Sequence, residues 1–319
     1  MGVSPLFSGP TDHCELLREN HQLSRKHPSF REIQLETADD LWLALSPTST
    51  LLPNGSYIYR GQADSSWMLI PSLLRSRANP PVGSSDALET GKDLLFHEIA
   101  ILRRFANHCD SVGIQISGDS QYLRNVVLDP GAATEYRRCP SKWPSAEILD
   151  LMALAQHHGV PTRLLDWTQK AFTAAYFAAS GALALYKTWS PDDRLAVWAL
   201  NRSQAGLHPN IVIHRSPGAV SPNLAAQKGL FTVHPHTASP ALDAANGLEG
   251  FLEDIATIPL VKLTIPVLES GRLMQLCAKA GFSAANIYPS ADGAGRAVVD
   301  DLFRDAAYER WNAETIVMR

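Results

Sequence analysis

The stretch LMALAQHHGVPTRLLDWTQKAFTAAYFAA, Leu151–Ala179, decides how this chain is read. It sets Gln156, His157, His158, Thr162, Arg163, Asp166, Trp167 and Thr168 between two apolar runs of helical character. Polar groups in so apolar a setting either bond one another or serve a ligand, since each left buried and unpaired costs about 1–3 kcal/mol. Ser145 stands where an N-cap is wanted, ahead of a helix with Ile148, Leu151, Met152 and Ala155 on one side. Gly159 and Pro161 end that helix. Asp166 is placed as the N-cap of a second helix, with Ala171, Phe172, Ala175, Tyr176 and Ala179 inward. Its many alanines predict close packing against a sheet.

Working towards the N-terminus, Asp86–Asn107 has Leu94, Leu95, Ile99, Leu102 and Phe105 near a 3.6-residue period and predicts an amphipathic helix. Ser56–Arg60 has the aromatic and β-branched content of a strand, with Ile58 and Arg60 on one face, after the turn signal Pro53-Asn-Gly55. Thr37-Ala-Asp-Asp40 predicts a helix start with Leu41, Trp42 and Leu45 as its apolar face. Residues 1–30 show no sustained period and read as an N-terminal arm. Residues 31–319 read as one domain, with an irregular excursion at 109–145 that is rich in Gly, Pro, Ser and Asp.

Towards the C-terminus the pattern changes. Leu195–Leu200, Ile211–His214, Leu230–Val233 and Leu260–Ile265 are strand-like, and helices are predicted over Ser270–Ala280 and Gly295–Ala307. This order of elements implies an α+β fold.

Composition narrows the function classes. With 45% hydrophobic and 19% charged residues among 319, the chain reads as globular. A net charge of −4 supplies no global basic field of the kind that general nucleic-acid binding uses. The four cysteines form no Cys-x-x-Cys pair and read as reduced thiols. The first residues have no basic stretch followed by an apolar core, and Leu6 stands where a myristoylation signal wants Ser or Thr. The Ala-rich uncharged run Ala171–Tyr186 falls short of the roughly 20 residues of a membrane span. The expectation is a cytoplasmic protein with no membrane attachment.

Several residues could carry chemistry. Arg60 ends a strand just before Gly61, a position suited to an anion because the planar guanidinium pairs with phosphate through two hydrogen bonds. The plainer role is an ion pair with Asp166 or Glu98. His157-His158 sits at a helix C-terminus, and adjacent histidines diverge by about 100°, a poor geometry for one metal ion. His234-Pro-His236 reads as surface. Trp167 can stack on a planar ring or fill core volume. Gln227, just before Gly229, can only hydrogen-bond and orient, not act as an acid or base. Together with Arg60 and Gln62, the polar density of the central block points to a binding site and to no metal.

These separated motifs resemble the FRG domain, a family named for a Phe/Tyr-Arg-Gly motif. The likeness runs through Tyr59-Arg60-Gly61-Gln62, the segment Trp67–Arg75 with Pro71-Ser72, and Gln156–Thr168. It continues through Ala175-Tyr-Phe-Ala178 and Gln227-Lys-Gly229-Leu-Phe231-Thr232.

A more distant likeness is to ADP-ribosyltransferases of the Arg–Ser–Glu type, which implies a mixed sheet core with helices packed around it. It implies that Arg60 holds the phosphates of NAD, with Thr168 and Gln227 following in the order of the serine and glutamate. NAD would be the substrate, and its nicotinamide bond the one cleaved. Arg60, His157, Asp166 and Gln227 are then the catalytic candidates. Arg60, Gly61, Gln62, Gln156, His158, Thr162, Arg163, Trp167 and Thr168 are the NAD-binding candidates. The sequence departs from the pattern in having Gln227 where the glutamate stands.

The implied protein is a toxin or antiphage effector whose partners are a nucleotide and a macromolecular acceptor or antitoxin. The alternative is a non-catalytic module that recognises a nucleotide or nucleic acid. A third reading makes the block a structural knot, with Arg163 and Asp166 tying two helices to the sheet.

Overall fold

The computed structural model describes residues 25–52, 56–75, 94–206, 211–217, 226–236, 247–252 and 259–317. Its centre is a mixed sheet of β1 (Arg25–Lys26), β2 (Arg31–Gln34), β3 (Tyr57–Gln62), β4 (Leu164–Thr168), β5 (Arg194–Asn201), β6 (Val212–His214), β7 (Gly229–Val233) and β8 (Leu260–Pro266). The spatial order is β1-β2-β8-β5-β3-β4-β7-β6. All neighbours are antiparallel except β2 and β8, which run parallel.

β5 shows why the sheet is central. Leu195, Val197 and Ala199 enter the core on one face, while Ala196, Trp198 and Leu200 enter the core on the other. A strand covered on both sides reads as an unbroken apolar run, as this one does.

The first face is covered by α1 (Ala38–Leu45), α5 (Ala171–Ala184), α6 (Ser270–Lys279) and α7 (Ala291–Val317), between which lie α2 (Leu94–Ser111), α3 (Ala132–Arg138) and α4 (Leu149–His157) in chain order. Thr37 caps α1 in a reciprocal box with Asp40. Ala174, Ala175, Ala178, Ala179 and Ala182 of α5 are fully buried, the close helix–sheet contact that their small side chains predict. Gly61 of β3 completes it, because a Cβ there would stand 2.1 Å from the Ala174 carbonyl oxygen and 2.6 Å from the Ala178 nitrogen. The close approach the glycine permits is that of a helix backbone.

α2, α3 and α4 build a separate core with Leu164, Phe231 and Val233 at the β4–β7 end of the sheet. Its centre is an ion pair of Arg163 and Glu98, 2.6 Å between Nη2 and Oε2, with side chains 0% and 1% exposed.

Several local expectations are corrected. LLDWT, Leu164–Thr168, is a strand, so Asp166 is not the N-cap of the second helix. The following helix starts at Ala171, and the Thr168 hydroxyl accepts from the Lys170 amide. The Ser145 side chain makes no cap bond, and a 3₁₀ turn, Ala146–Ile148, precedes α4. Glu98 pairs with Arg163, and Arg60 with Asp166, so Arg163 and Asp166 do not act as one tie. His234 and His236 are buried, not on the surface.

Residues 109–145 hold a π-helical turn at Leu123–Val127, the helix α3 and a 3₁₀ turn at Pro140–Lys142, where an irregular path was expected. The last helix is longer at both ends than Gly295–Ala307. The end of the expected arm joins the sheet as β1, with Phe30 edge-on to Trp198 at 5.0 Å. The expectations for residues 1–24, 53–55, 86–93 and 223–225 lie outside the described residues.

Candidate functional site

β3 pairs with β5 over six residues but with β4 at one position only, Tyr59 opposite Thr168. At this sparsely paired seam the Arg60 side chain reaches across, its Nη1 donating to the Asp166 carbonyl oxygen at 2.8 Å and lying 3.6 Å from the Asp166 carboxylate. A cavity of about 640 Å³ opens over the seam. That volume is within the range of small-molecule sites.

Arg60, Gly61, Gln156, His157, His158, Asp166, Trp167, Thr168 and Gln227 all border this cavity. Trp167 does so marginally: it is 3% exposed and its indole N–H donates to the Thr232 hydroxyl at 2.8 Å. Its ring belongs to the core beneath. Gln62, Thr162 and Arg163 lie elsewhere. Gln62 is buried and accepts from the Trp198 indole at 2.7 Å. Arg163 is sealed against Glu98 and the carbonyl oxygens of His234 and Pro235. Thr162 is buried behind the wall, its hydroxyl donating to the Gln156 side-chain oxygen.

That last contact begins a relay. With its carbonyl oxygen taken by Thr162, Gln156 turns its amide outward and donates to the Asp166 carboxylate at 2.6 Å. Asp166 alternates away from its buried neighbours Leu165 and Trp167 along β4 and is 62% exposed at its side chain. Two hydrogen bonds in series therefore orient an accessible carboxylate. Thr168 does similar work on the far side. Its hydroxyl donates to the Gln227 carbonyl oxygen at 2.6 Å and pins the segment that enters β7. Lys170 reinforces it by donating from Nζ to the Ala226 carbonyl oxygen at 2.6 Å.

Two guanidiniums, Arg60 and Arg296, and two carboxylates, Asp166 and Asp292, border the cavity. Burial pulls the Arg60 guanidinium below its ordinary value, Asp166 opposes that, and Arg75 adds to it. An arginine stays protonated through such a shift. Burial lowers His157, and His158 and Arg296 lower it further while Asp166 opposes them, which favours the neutral imidazole.

Sequence reasoning missed the opposite wall: Tyr288, Ser290, Asp292 and Arg296, from the start of α7 and the residues before it. The Arg296 guanidinium lies 4.4 Å over the Tyr288 ring, and Phe177 meets that ring edge-on at 6.3 Å. Gly293 permits this, since a Cβ there would collide with the Tyr288 carbonyl oxygen. No local pattern in the sequence marks these residues, because α7 is brought to the cavity by packing on α5, α6 and the short helix Ala284–Ile287. With Tyr59 they give an aromatic wall able to stack a planar base, across from the Arg60 guanidinium, which can take a phosphate.

A family model described as the FRG domain matches residues 55–186. The chain carries an FRG domain. Its matched span contains β3, β4 and α5, and hence Arg60, the Gln156–Asp166 relay and Thr168. The FRG span does not contain Gln227, Tyr288 or Arg296, which complete the cavity from outside it. No curated protein and no solved structure matches the chain. Among the described residues no cluster of His, Cys, Asp or Glu could hold a metal ion, and no helix is long and apolar enough to cross a membrane.

Proposed function

We propose that the cavity binds NAD and that the protein is an ADP-ribosyltransferase-like enzyme that cleaves the nicotinamide glycosidic bond. The observation that carries this reading is the meeting in one open cavity of Arg60 from within β3, which runs on to Gln62 and does not end at Arg60 as expected, Thr168 at the end of β4 and Gln227 just ahead of β7, three strands adjacent in the sheet. Arg60 takes a phosphate oxygen of the dinucleotide. Tyr288 and Tyr59 offer faces to a base. Thr168 holds the Gln227 main chain so that the Gln227 amide can orient a ribose hydroxyl.

In the reaction the C1′–N bond breaks and its electron pair leaves with nicotinamide. The oxocarbenium ion so formed is captured by the oxygen of water or of an acceptor, which then releases its proton. Gln227, being an amide, neither takes that proton nor offsets the charge. Asp166 is the carboxylate suited to both tasks, accessible and oriented by Gln156. Stabilising charge that develops only in the transition state is what accelerates such a step. An NAD-consuming effector, toxin or antiphage protein, is the biological role this chemistry suits.

The amide at Gln227 also favours a second reading, a module that binds the nucleotide without turning it over. Calorimetric titration of the purified chain with NAD, alongside chromatography for released nicotinamide, separates the two. Binding with release that Asp166→Asn abolishes supports the enzyme. Binding that Arg60→Ala weakens at least about tenfold, with no release from wild type, supports the module. Neither binding nor release removes both.

A further inference from the structure

Arg60 borders a second cavity. This one measures about 200 Å³ and adjoins the first across the wall made by Arg60, Gln156 and Asp166; its far side holds Ser72, Arg75, Gly159 and Pro161. Arg75 ends the one-turn helix Ser72–Arg75, whose position is fixed by hydrogen bonds to Thr162. The Leu73 amide donates to the Thr162 carbonyl oxygen at 3.1 Å, and the Thr162 amide donates to the Ser72 hydroxyl at 3.2 Å. The same Thr162 orients Gln156, so both walls of the small cavity are anchored at one residue.

The charges here do not balance. Among the described residues, the small cavity is lined by two guanidiniums and a single carboxylate, Asp166, which is already bonded by Gln156 and sits beside Arg60. No carboxylate among the described residues lies within ion-pair distance of Arg75. Arg75 disfavours the charge on Arg60. The Arg60 Nε is buried with no hydrogen-bond partner. Two like charges facing one concave space, one of them with a donor unused, are relieved by an anion with several oxygens.

We infer that the small cavity is a second anion subsite, one that takes a phosphate monoester between Arg75 and Arg60. Its volume is below the 300–1,000 Å³ or so of nucleotide-sized sites and suits a phosphoryl group with the first atoms of whatever carries it. The subsite is separate from the dinucleotide cavity and does not depend on any NAD chemistry. Arg60 is common to both, which couples their occupancy.

The test is calorimetric titration of the full chain, at low salt, with ribose 5-phosphate and separately with NAD. Arg75→Ala is expected to weaken ribose 5-phosphate about tenfold or more, the usual worth of a charge-assisted hydrogen bond, while NAD affinity changes less than about twofold. Arg75→Lys keeps the charge without the fork and should fall between. Arg75 is exposed, so the variants should melt with wild type, which a thermal scan checks. Wild-type-like binding of ribose 5-phosphate by Arg75→Ala overturns the inference, and so does an equal loss for both ligands, which would make the two cavities one site. Should wild type ignore NAD yet bind ribose 5-phosphate through Arg75, the subsite stands and the NAD reading falls.

Discussion

Arg163 and Glu98 are buried against each other, their side chains 0% and 1% exposed. Nε lies 2.8 Å from Oε1 and 2.9 Å from Oε2, Nη2 lies 2.6 Å from Oε2, and the Trp143 indole donates to Oε2 at 2.9 Å. Arg163 immediately precedes β4 and Glu98 lies in α2, so the pair joins the sheet to the helices on which the Gln156 end of the site rests. Breaking a buried pair leaves one charge uncompensated, which costs about 3–5 kcal/mol. Arg163→Met and Glu98→Gln should each lower unfolding stability by that much in a denaturant titration. The double variant should lose clearly less than the sum. Additive losses would mean that the two side chains do not act as a pair.

Gly61 borders the cavity, yet its demand comes from behind. A Cβ would overlap the α5 backbone, which cannot give way as a flexible side chain can. Overpacking of this kind costs about 1–3 kcal/mol or more. Gly61→Ala should therefore lower the melting temperature by several degrees and weaken NAD only in proportion to the unfolded fraction. A variant that melts like wild type but binds NAD poorly would instead assign the glycine to the ligand.

What the sequence disclosed depended on whether the deciding contacts were local. β5 announced itself as a strand through its apolar run, α1 through its capping box, and β3 through its aromatic content. β4 did not. Leu164–Thr168 has only Asp166 exposed, so no two-residue alternation appears, and its partners β3 and β7 come from distant parts of the chain. Asp166 there mimics an N-cap, which misplaced the helix start. The same limit governed the site. Arg60, Gln156, His157, His158, Asp166, Thr168 and Gln227 were picked out by motif and by polar density, and they do share a cavity. Arg163 was picked out for the same reason and is structural, because burial against Glu98 is invisible until α2 is packed. Tyr288 and Arg296 carried no local mark at all.

Tyr176 of α5 donates from its hydroxyl to the Asp300 carboxylate of α7 at 2.7 Å. This contact helps hold α7, and with it Arg296, over the cavity. Burial raises the Asp300 carboxyl above its ordinary 3.8, a shift the Tyr176 bond only partly offsets. The folded state therefore binds this proton more tightly than the unfolded state. The contribution is present at low pH and lost as pH rises from about 3.8 through the raised value. Asp300→Asn keeps an acceptor for Tyr176 and removes the titration. Its stability relative to wild type should rise across that window and level off above it, as followed by melting temperature at stepped pH. A constant offset at every pH would show that Asp300 does not titrate differently on folding.

His157 supplies a pH signature for the cavity itself. Burial, His158 and Arg296 depress it below the ordinary 6.5, with Asp166 pulling the other way. In the empty protein its contribution to stability is therefore present above 6.5 and lost as pH falls through the depressed value. A phosphate bound at Arg60 reverses the local field and favours the imidazolium, so binding takes up a proton. NAD affinity should then rise as pH falls, by no more than tenfold per unit, the limit for one proton. His157→Gln retains hydrogen-bonding capacity without the charge and should flatten that dependence while leaving affinity at pH 8 within about threefold of wild type. Titrations at half-unit steps from pH 5.5 to pH 8 (about a 300-fold range of proton activity) resolve the slope. An identical slope in wild type and variant would move the proton uptake to another group and remove His157 from the phosphate's surroundings.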